Sequence, residues 1–320
     1  LTLVGYRFHR IRLYIYYLLC FLSGGLLYLL SRWLPKLWIW WVGNACEMKK
    51  AEWLLVENQW GEISIEKVQR KFYGGTVASI FPSDLLEESD IAKLGTNHMA
   101  EETLHLMHYF DHRHLRFIFH PWLGRFLQHG YWKDPSWTNI RSLKTGISRE
   151  IHNEREVIFG ANLIDVEGKS TSQLLYDEVL HPFYIFQIFS IILWCTDEYY
   201  YYAICIFIIS VTSVTSTLIE TKQTLKRLRE MSRFVCDVRV FRGGLWRVVS
   251  SEDLVPGDIF EISDPNLHIF PCDALLLAGD CIVNESMLTG ESIPVSKLPI
   301  TDTVLQMLDF SSPNFSPDDL

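Results

Sequence analysis

Uncharged apolar stretches predict which parts of the chain lie in a membrane. The longest covers residues 199–219 and would span about 31 Å as a helix, close to a hydrocarbon core of roughly 30 Å. Residues 179–195 are also uncharged, and apolar positions from 174 onward lengthen that stretch. The pattern predicts a two-helix transmembrane hairpin over residues 174–221, with spans at 174–195 and 199–219. A buried helical hairpin of a soluble protein is the alternative.

A third apolar stretch, residues 13–31, is interrupted by Ser23-Gly24-Gly25. Five basic residues between 222 and 233 follow the hairpin, so the positive-inside tendency places that end, and by parity residues 42–170, in the cytoplasm. A re-entrant segment over residues 1–41 keeps both its basic ends on that side; a full span is the alternative. Contacts with anionic lipid are then expected from the basic side chains of this segment, which are Arg7, Arg10, Arg12, Arg32 and Lys36.

The remaining segments read as soluble domains. Residues 42–140 combine short strand-like runs with turns and predict a small mixed α/β domain, and residues 141–173 form a linker. Residues 222–297 predict a β-rich domain with a hairpin at Gly243-Gly244 and a buried strand at Ala274–Leu277. Residues 298–320 are expected to be a divergent or disordered tail. The predicted fold class is a multi-domain α+β integral membrane protein whose soluble domains are cytoplasmic.

Charge and cysteine content narrow the function classes. The chain carries 29 basic and 38 acidic residues, a net charge of −9, which argues against nucleic acid as a partner. The first 41 residues contain no acid, whereas the last 71 contain Lys297 as their single basic residue, so the two ends face different surroundings. Seven cysteines without a C-x-x-C pair indicate no disulfide framework and a reducing compartment.

A group of histidines raises the alternative of a metal site. His105, His108 and His112 are spaced three and four apart, so a helix would present them on one face. The neighbouring segment from His112 to Arg116 instead alternates like a strand and places arginines among the imidazoles, which disfavours a dication. A structural role is the favoured interpretation, and no metal site is expected.

One motif carries specific chemistry. Residues 284–297 read NESMLTGESIPVSK and are preceded by LVPGDI at 254–259 and PCDA at 271–274. This run resembles the actuator-domain loop of P-type ATPases. In that family ATP phosphorylates an aspartate, and the resemblance implies that Glu291 positions and deprotonates the water that hydrolyses the acyl phosphate. It also implies that Gly290 lets the backbone approach the phosphate, while Thr289 and Ser292 hold the loop.

Further segments are similar to the type V, subclass B group, the polyamine-transporting ATPases. They are RWLP at 32–35, AEWLLV at 51–56, PFYIFQ at 182–187 and DEYYYY at 197–202, with His181 where the group typically has Asn. The resemblance implies a polyamine substrate, a re-entrant amino-terminal segment and an endosomal or lysosomal membrane. It also implies ATP and magnesium as cofactors of the full-length pump.

The phosphorylated Asp-Lys-Thr-Gly motif does not occur in these 320 residues. The chain also opens on Leu1 and departs from the actuator pattern after Lys297. We therefore expect an amino-terminal part of a pump, inactive alone, with an actuator domain that lacks its last strand and without an ATP or metal site of its own. The alternative is a truncated, non-catalytic membrane protein that binds anionic lipid or a partner pump.

Overall fold

The computed structural model describes residues 2–81, 103–113, 115–129, 132, 134, 136–164, 168–265 and 267–307. The chain divides into two compact units. The first comprises residues 1–45, 55–65 and 163–234, and the second comprises residues 46–54, 66–162 and 235–320. The domain boundaries expected from the sequence stay predictions.

The amino-terminal region combines a sheet with three helices. The strands β1 (Thr2–Phe8), β2 (Gly43–Ala45), β3 (Trp53–Glu57) and β4 (Ile63–Lys67) form a sheet of order β2-β1-β3-β4, in which β1 and β2 are antiparallel. The helices α1 (Arg10–Leu22), α2 (Leu26–Trp33) and α3 (Pro35–Val42) connect β1 to β2. A small core forms where Tyr16 and Cys20 of α1 pack against Val42 of α3.

The predicted interruption of the first apolar stretch is confirmed. Helices α1 and α2 meet at an angle of 120° across Ser23-Gly24-Gly25. Helix α1 ends at Leu22 with Ser23 as its C-cap, and Gly25 is the N-cap of α2. Gly24 (φ +61°) and Gly25 (φ +89°) both adopt a left-handed conformation that side-chain-bearing residues rarely adopt. The chain therefore folds back within this stretch.

The second apolar region contains one long helix and one bent pair. Helix α9 (Tyr200–Ser232) has 33 residues and is the one described helix that alone is long and apolar enough to cross a membrane. Before it, α7 (Thr171–Val179) and α8 (Pro182–Thr196) meet at 65°. If each bent pair is one span, the described residues contain up to three spans.

The bend lies within the span expected over residues 174–195, directly before Pro182. Pro182 occupies the first turn of α8, where its missing N–H and fixed φ suit a helix start. The ring Nδ1 of His181 accepts a hydrogen bond from the Phe183 N–H at 3.4 Å and caps that start. Helix α8 alone, with 15 residues, is about 22 Å long and shorter than a hydrocarbon core of roughly 30 Å.

Polar side chains join α8 to α9. The Tyr184 hydroxyl lies 3.0 Å from the Ser213 hydroxyl, and the Ser210 hydroxyl donates to Gln187 Oε1 at 2.6 Å. These pairs lie one helical turn apart in an antiparallel register. The two helices therefore form a hydrogen-bonded pair within the first unit.

The second unit contains a four-stranded sheet, a three-stranded sheet and a smaller two-stranded one. The strands β5 (Gln69–Phe72), β6 (Leu106–His112), β7 (Leu115–His120) and β8 (Arg125–Gln128) form one sheet in sequence order, and α4 (Val77–Ile80) packs on it. The strands β9 (Asp237–Arg242), β10 (Leu245–Ser250) and β11 (Ile259–Phe260) form the three-stranded sheet, of order β10-β9-β11. The turn between β9 and β10 lies at Gly243-Gly244, which confirms the predicted hairpin.

The buried strand expected at Ala274–Leu277 is wrong. Residues 274–277 belong to none of the strands in the described part of the chain; the Leu276 carbonyl accepts one hydrogen bond from the Ile300 N–H at 2.9 Å. Their side chains are exposed or half-buried. An apolar run without a strand to pair with cannot form a ladder.

Helix α6 (Arg149–Phe159), preceded by the short helix α5 (Ile140–Leu143), belongs to the packing of the two larger sheets. Ile158 of this helix is buried in the core of the β5–β8 sheet, and Glu154 accepts a hydrogen bond of 2.5 Å from the Tyr73 hydroxyl. Arg155, three residues before Ile158, donates to the Pro256 carbonyl at 2.6 Å, and His152 Nε2 lies 3.1 Å from the Asp253 carbonyl oxygen. The linker expected at 141–173 thus contains a helix that joins the two sheets.

The region after residue 297 contains ordered structure where a divergent or disordered tail was expected. Helix α11 (Asp302–Met307) follows the last strand, and its Leu305 is 2% exposed. Asp302 Oδ1 accepts a hydrogen bond from the Ile140 N–H at 2.8 Å, the start of α5. Residues 308–320 lie outside the described residues.

Acid is expected to destabilise the second unit through His129. Its ring packs on Phe159, with centroids 4.8 Å apart, and neither ring nitrogen has a hydrogen-bond partner among the described residues. Burial, with a smaller contribution from the charge of Arg116, lowers the pKa of His129 from 6.5 to about 4. Because the folded protein holds this ring neutral, its contribution to stability is complete above about pH 6.5 and is lost as pH falls towards 4.

The expected effect is a loss of about 2 kcal/mol between pH 7.5 and pH 4.5 that His129→Leu does not show. Thermal unfolding of the chain in detergent, followed by tryptophan fluorescence at both pH values, measures it. His268→Leu, at an exposed histidine, serves as the control. An equal pH dependence in His129→Leu and the unsubstituted chain would contradict the prediction.

Candidate functional site: the actuator loop

The residues singled out by the sequence motif lie together in one loop. The strands β12 (Cys281–Val283) and β13 (Val295–Lys297) pair antiparallel, with Cys281 opposite Lys297 and Val283 opposite Val295. Between them the chain forms the single-turn helix α10 (Ser286–Thr289) and the segment from Gly290 to Pro294. The structure thus places Thr289, Gly290, Glu291 and Ser292 consecutively at the tip of a β-hairpin.

Gly290 ends α10 in a left-handed conformation. Its φ is +77°, and a Cβ built at this position would have no heavy atom within 4 Å. The glycine is therefore required by the backbone conformation, which directs the chain from the helix towards Glu291. The expected close approach to a phosphate concerns a group outside this chain and stays a prediction.

Thr289 fixes the backbone of the loop. Its Oγ1 donates to the Glu285 carbonyl at 3.1 Å and accepts a hydrogen bond of 3.2 Å from the Glu291 N–H. At the start of the helix, Asn284 Oδ1 accepts a hydrogen bond of 3.0 Å from the Ser286 N–H. These hydrogen bonds are consistent with the expected role of Thr289 in holding the loop. Ser292 lies exposed at the tip.

The loop tip is open to solvent. Glu291 is exposed, Met287 and Leu288 are 94% and 89% exposed, and Ile293 is 74% exposed. A carboxylate on such a protruding tip can reach a group on another domain and act there as a general base. The apolar side chains beside it provide a surface that can exclude water once the tip is covered.

An ion pair closes the base of the loop. Lys297 Nζ lies 3.1 Å from Glu285 Oε1, and both side chains are about two-thirds buried, with relative exposures of 33% and 30%. The sequence motif contains both residues, but their pairing did not follow from it. The signal that could have found it is their opposite charges on the two sides of the loop, Glu285 just after β12 and Lys297 at the end of β13.

Most of the expected lipid-contacting cations have partners within the protein. Arg32 Nη2 lies 2.6 Å from Asp177 Oδ1, and Lys36 Nζ lies 3.1 Å from Glu57 Oε1. Arg12 donates to Asn44 Oδ1 at 2.7 Å. Arg7 is exposed on β1, and Arg10 is exposed at the first residue of α1.

The histidines do not form a cluster of ligands in the described part of the chain. His108 and His112 lie on strand β6 rather than on a helix, and His105 precedes it. His112 Nδ1 lies 3.0 Å from Glu66 Oε1. Burial, helped by the charges of Arg70 and Lys49, lowers the pKa of His108. No group of three or more metal-ligating side chains is found among the described residues; His114 lies outside them.

Two family models match the chain. The model of P5-type ATPase cation transporters matches residues 1–120, and that of the P-type ATPase actuator domain matches residues 234–311. The second match contains the whole loop described above. It also continues beyond Lys297 through helix α11, where the actuator pattern was expected to end.

Curated relatives align along most of the chain. The vacuolar cation-transporting ATPase YPK9 of Saccharomyces cerevisiae is 46% identical over 311 residues, which cover 94% of this chain and 21% of that protein. The polyamine-transporting ATPase 13A3 of Mus musculus is 33% identical over 341 residues, covering 98% and 27%. The human polyamine-transporting ATPase 13A2 is 33% identical over 322 residues, covering 90% and 26%. The chain thus spans about a fifth to a quarter of the length of these relatives.

Proposed function

Because the chain belongs to the P5-type ATPase family and carries an actuator domain, we propose that it is the amino-terminal part of an ATP-driven pump for polyamines. The observation that carries the proposal is the similarity, over 90% or more of the chain, to two proteins named as polyamine-transporting ATPases. ATP and magnesium are assigned to the rest of the pump, and the proposal places no site for either in this chain. The chain alone is proposed to be inactive.

Glu291 is proposed to act in the hydrolysis of an aspartyl phosphate. The loop tip presents its carboxylate to solvent on a hairpin whose backbone is held by Thr289. Once the tip is brought to the phosphorylated aspartate of the pump, the carboxylate accepts a proton from the attacking water. The exposed apolar side chains beside it would limit access of bulk water.

The membrane arrangement is proposed as a hairpin and a re-entrant segment. Helix α9 is apolar and long enough to span, and its hydrogen bonds with α8 support a paired arrangement. The 120° turn between α1 and α2 supports a re-entrant path for the first stretch. We propose an endosomal or lysosomal membrane, and the yeast relative's name as a vacuolar ATPase supports this location.

Contact with anionic lipid is proposed at the five cations of the amino-terminal segment, of which Arg7 and Arg10 are exposed. Within the protein, Arg12 also donates to Asn44, Arg32 pairs with Asp177, and Lys36 pairs with Glu57. A role as a non-catalytic protein that binds lipid or another pump would use the same exposed cations.

Polyamine-stimulated ATP hydrolysis tests the proposal. The full-length pump that contains this chain is purified, reconstituted into liposomes and assayed with spermine, with spermidine and with Ca²⁺. ATP hydrolysis is expected to rise with the polyamines and to be unchanged by Ca²⁺. Hydrolysis that is insensitive to polyamines would contradict the substrate class, and a full-length protein that hydrolyses no ATP would favour the non-catalytic role.

A further inference from the structure

The ion pair between Glu285 and Lys297 joins the two ends of the actuator loop. Glu285 lies two residues after β12, and Lys297 is the last residue of β13. Both side chains are about two-thirds buried, so water screens their attraction less than that of a fully exposed pair. The pair therefore holds the strand that leaves the loop against the residue at which the loop helix begins.

The backbone carbonyl of Glu285 is also the hydrogen-bond acceptor for the first turn of the loop helix. It accepts hydrogen bonds from the Leu288 N–H at 2.9 Å, the Thr289 N–H at 3.0 Å and the Thr289 hydroxyl at 3.1 Å. The orientation of Glu285 thus determines the orientation of α10. The side chain of the same residue is the one that Lys297 holds.

A continuous series of polar contacts consequently runs from Lys297 to the backbone of Glu291. Lys297 donates to the Glu285 carboxylate, the Thr289 hydroxyl donates to the Glu285 carbonyl, and the Glu291 N–H donates to the Thr289 hydroxyl. Packing adds little constraint at the tip, since Met287, Leu288 and Ile293 are largely exposed. The position of Glu291 therefore depends on this polar series.

We propose that Glu285 and Lys297 are positioning residues that set the reach of Glu291 towards the aspartyl phosphate. The inference rests on the proposed function of Glu291. A small displacement of a catalytic group has a large effect on rate, because the proton transfer requires hydrogen-bonding distance. Loss of the ion pair lets the loop adopt orientations from which the carboxylate does not reach the water.

The test measures phosphoenzyme decay in the full-length pump. Lys297→Met and Glu285→Gln are each expected to slow decay about 10-fold, while formation of phosphoenzyme from ATP keeps its rate. The double charge reversal Glu285→Lys with Lys297→Glu is expected to restore decay to within about 3-fold of the unsubstituted rate, because it rebuilds the pair. A merely structural role would impair formation and decay of the phosphoenzyme together, whereas the positioning role slows decay alone.

The matched control is Arg239→Met, which removes another ion pair of the same domain, between Arg239 and Glu261 at 2.9 Å, and is expected to leave decay unchanged. Lys297→Arg, which keeps the charge, decides the matter if a neutral variant fails to fold: near-normal decay is expected. Normal decay in both neutral variants, or slow decay in Lys297→Arg and in the reversed pair, would overturn the inference.

Glu291→Gln, measured in parallel, separates the two proposals. If it traps phosphoenzyme while Lys297→Met decays normally, the positioning role alone fails. If Glu291→Gln itself decays normally, the proposed role of Glu291 fails, and the positioning role falls with it.

Discussion

Replacing Arg155 by methionine is expected to lower the free energy of unfolding of the second unit by about 3–5 kcal/mol. Arg155 is 5% exposed, forms an ion pair with Asp134 and donates to the Pro256 carbonyl. Its guanidinium also lies 5.1 Å from the ring centroid of Trp132. Methionine fills part of the volume but leaves the Asp134 carboxylate without its cation and the carbonyl without its donor, which is the costly situation.

Denaturant unfolding of the chain in detergent, followed by tryptophan fluorescence, measures this loss. Arg239→Met serves as the control, because the Arg239 side chain is 51% exposed and its pair with Glu261 is worth less than about 1 kcal/mol. The double variant Arg155→Met with Asp134→Asn should recover part of the stability, since the unpaired charge is gone. Equal losses in Arg155→Met and Arg239→Met would refute the assigned role.

Replacing Glu291 by glutamine is expected to slow phosphoenzyme decay in the full-length pump by about 10²–10⁴-fold. Glutamine has nearly the same shape and can still form hydrogen bonds, but it cannot accept a proton from the attacking water. The backbone hydrogen bond from Glu291 N–H to Thr289 is unaffected by the change. The loop is therefore expected to keep its conformation while losing the base.

Decay is measured by labelling the pump with radioactive ATP and chasing with unlabelled ATP. Asp280→Asn, at an exposed carboxylate next to β12, is the matched control and should decay at the normal rate. Accumulation of labelled enzyme in Glu291→Gln alone would support the proposed role. Unchanged decay in Glu291→Gln would remove Glu291 from the reaction.

Local patterns predicted those elements whose cause is local. The Gly243-Gly244 turn and the break at Ser23-Gly24-Gly25 were found where the sequence placed them, because glycines and alternating apolar residues act within a few positions. The expected strand at Ala274–Leu277 failed because a strand needs a partner, and no local pattern supplies one. At the bend, Pro182 is the first residue of α8 and does not lie inside one continuous helix.

In the candidate site, too, the residues that are close in sequence could be predicted, and the contacts between distant residues could not. The motif located Thr289, Gly290, Glu291 and Ser292 together, since they are consecutive in sequence. The ion pair between Glu285 and Lys297 could not be predicted in this way, because it depends on the register of β12 with β13. Contacts between residues a hundred positions apart, such as that between Arg155 and Pro256, cannot be predicted from the periodicity of the sequence.

The position of helix α6 has a consequence for the cooperativity of unfolding. Its Ile158 is part of the core of the β5–β8 sheet. Its Arg155 donates a hydrogen bond to the Pro256 carbonyl, in the turn that precedes β11 of the other sheet. Gly257 leaves the space that the Arg155 guanidinium occupies, so the fit is close on both sides. Neither sheet can open widely without exposing groups that α6 shares with the other. Slowly exchanging amides of β6 and β9 should therefore report one common opening free energy, as expected of a single cooperative unit.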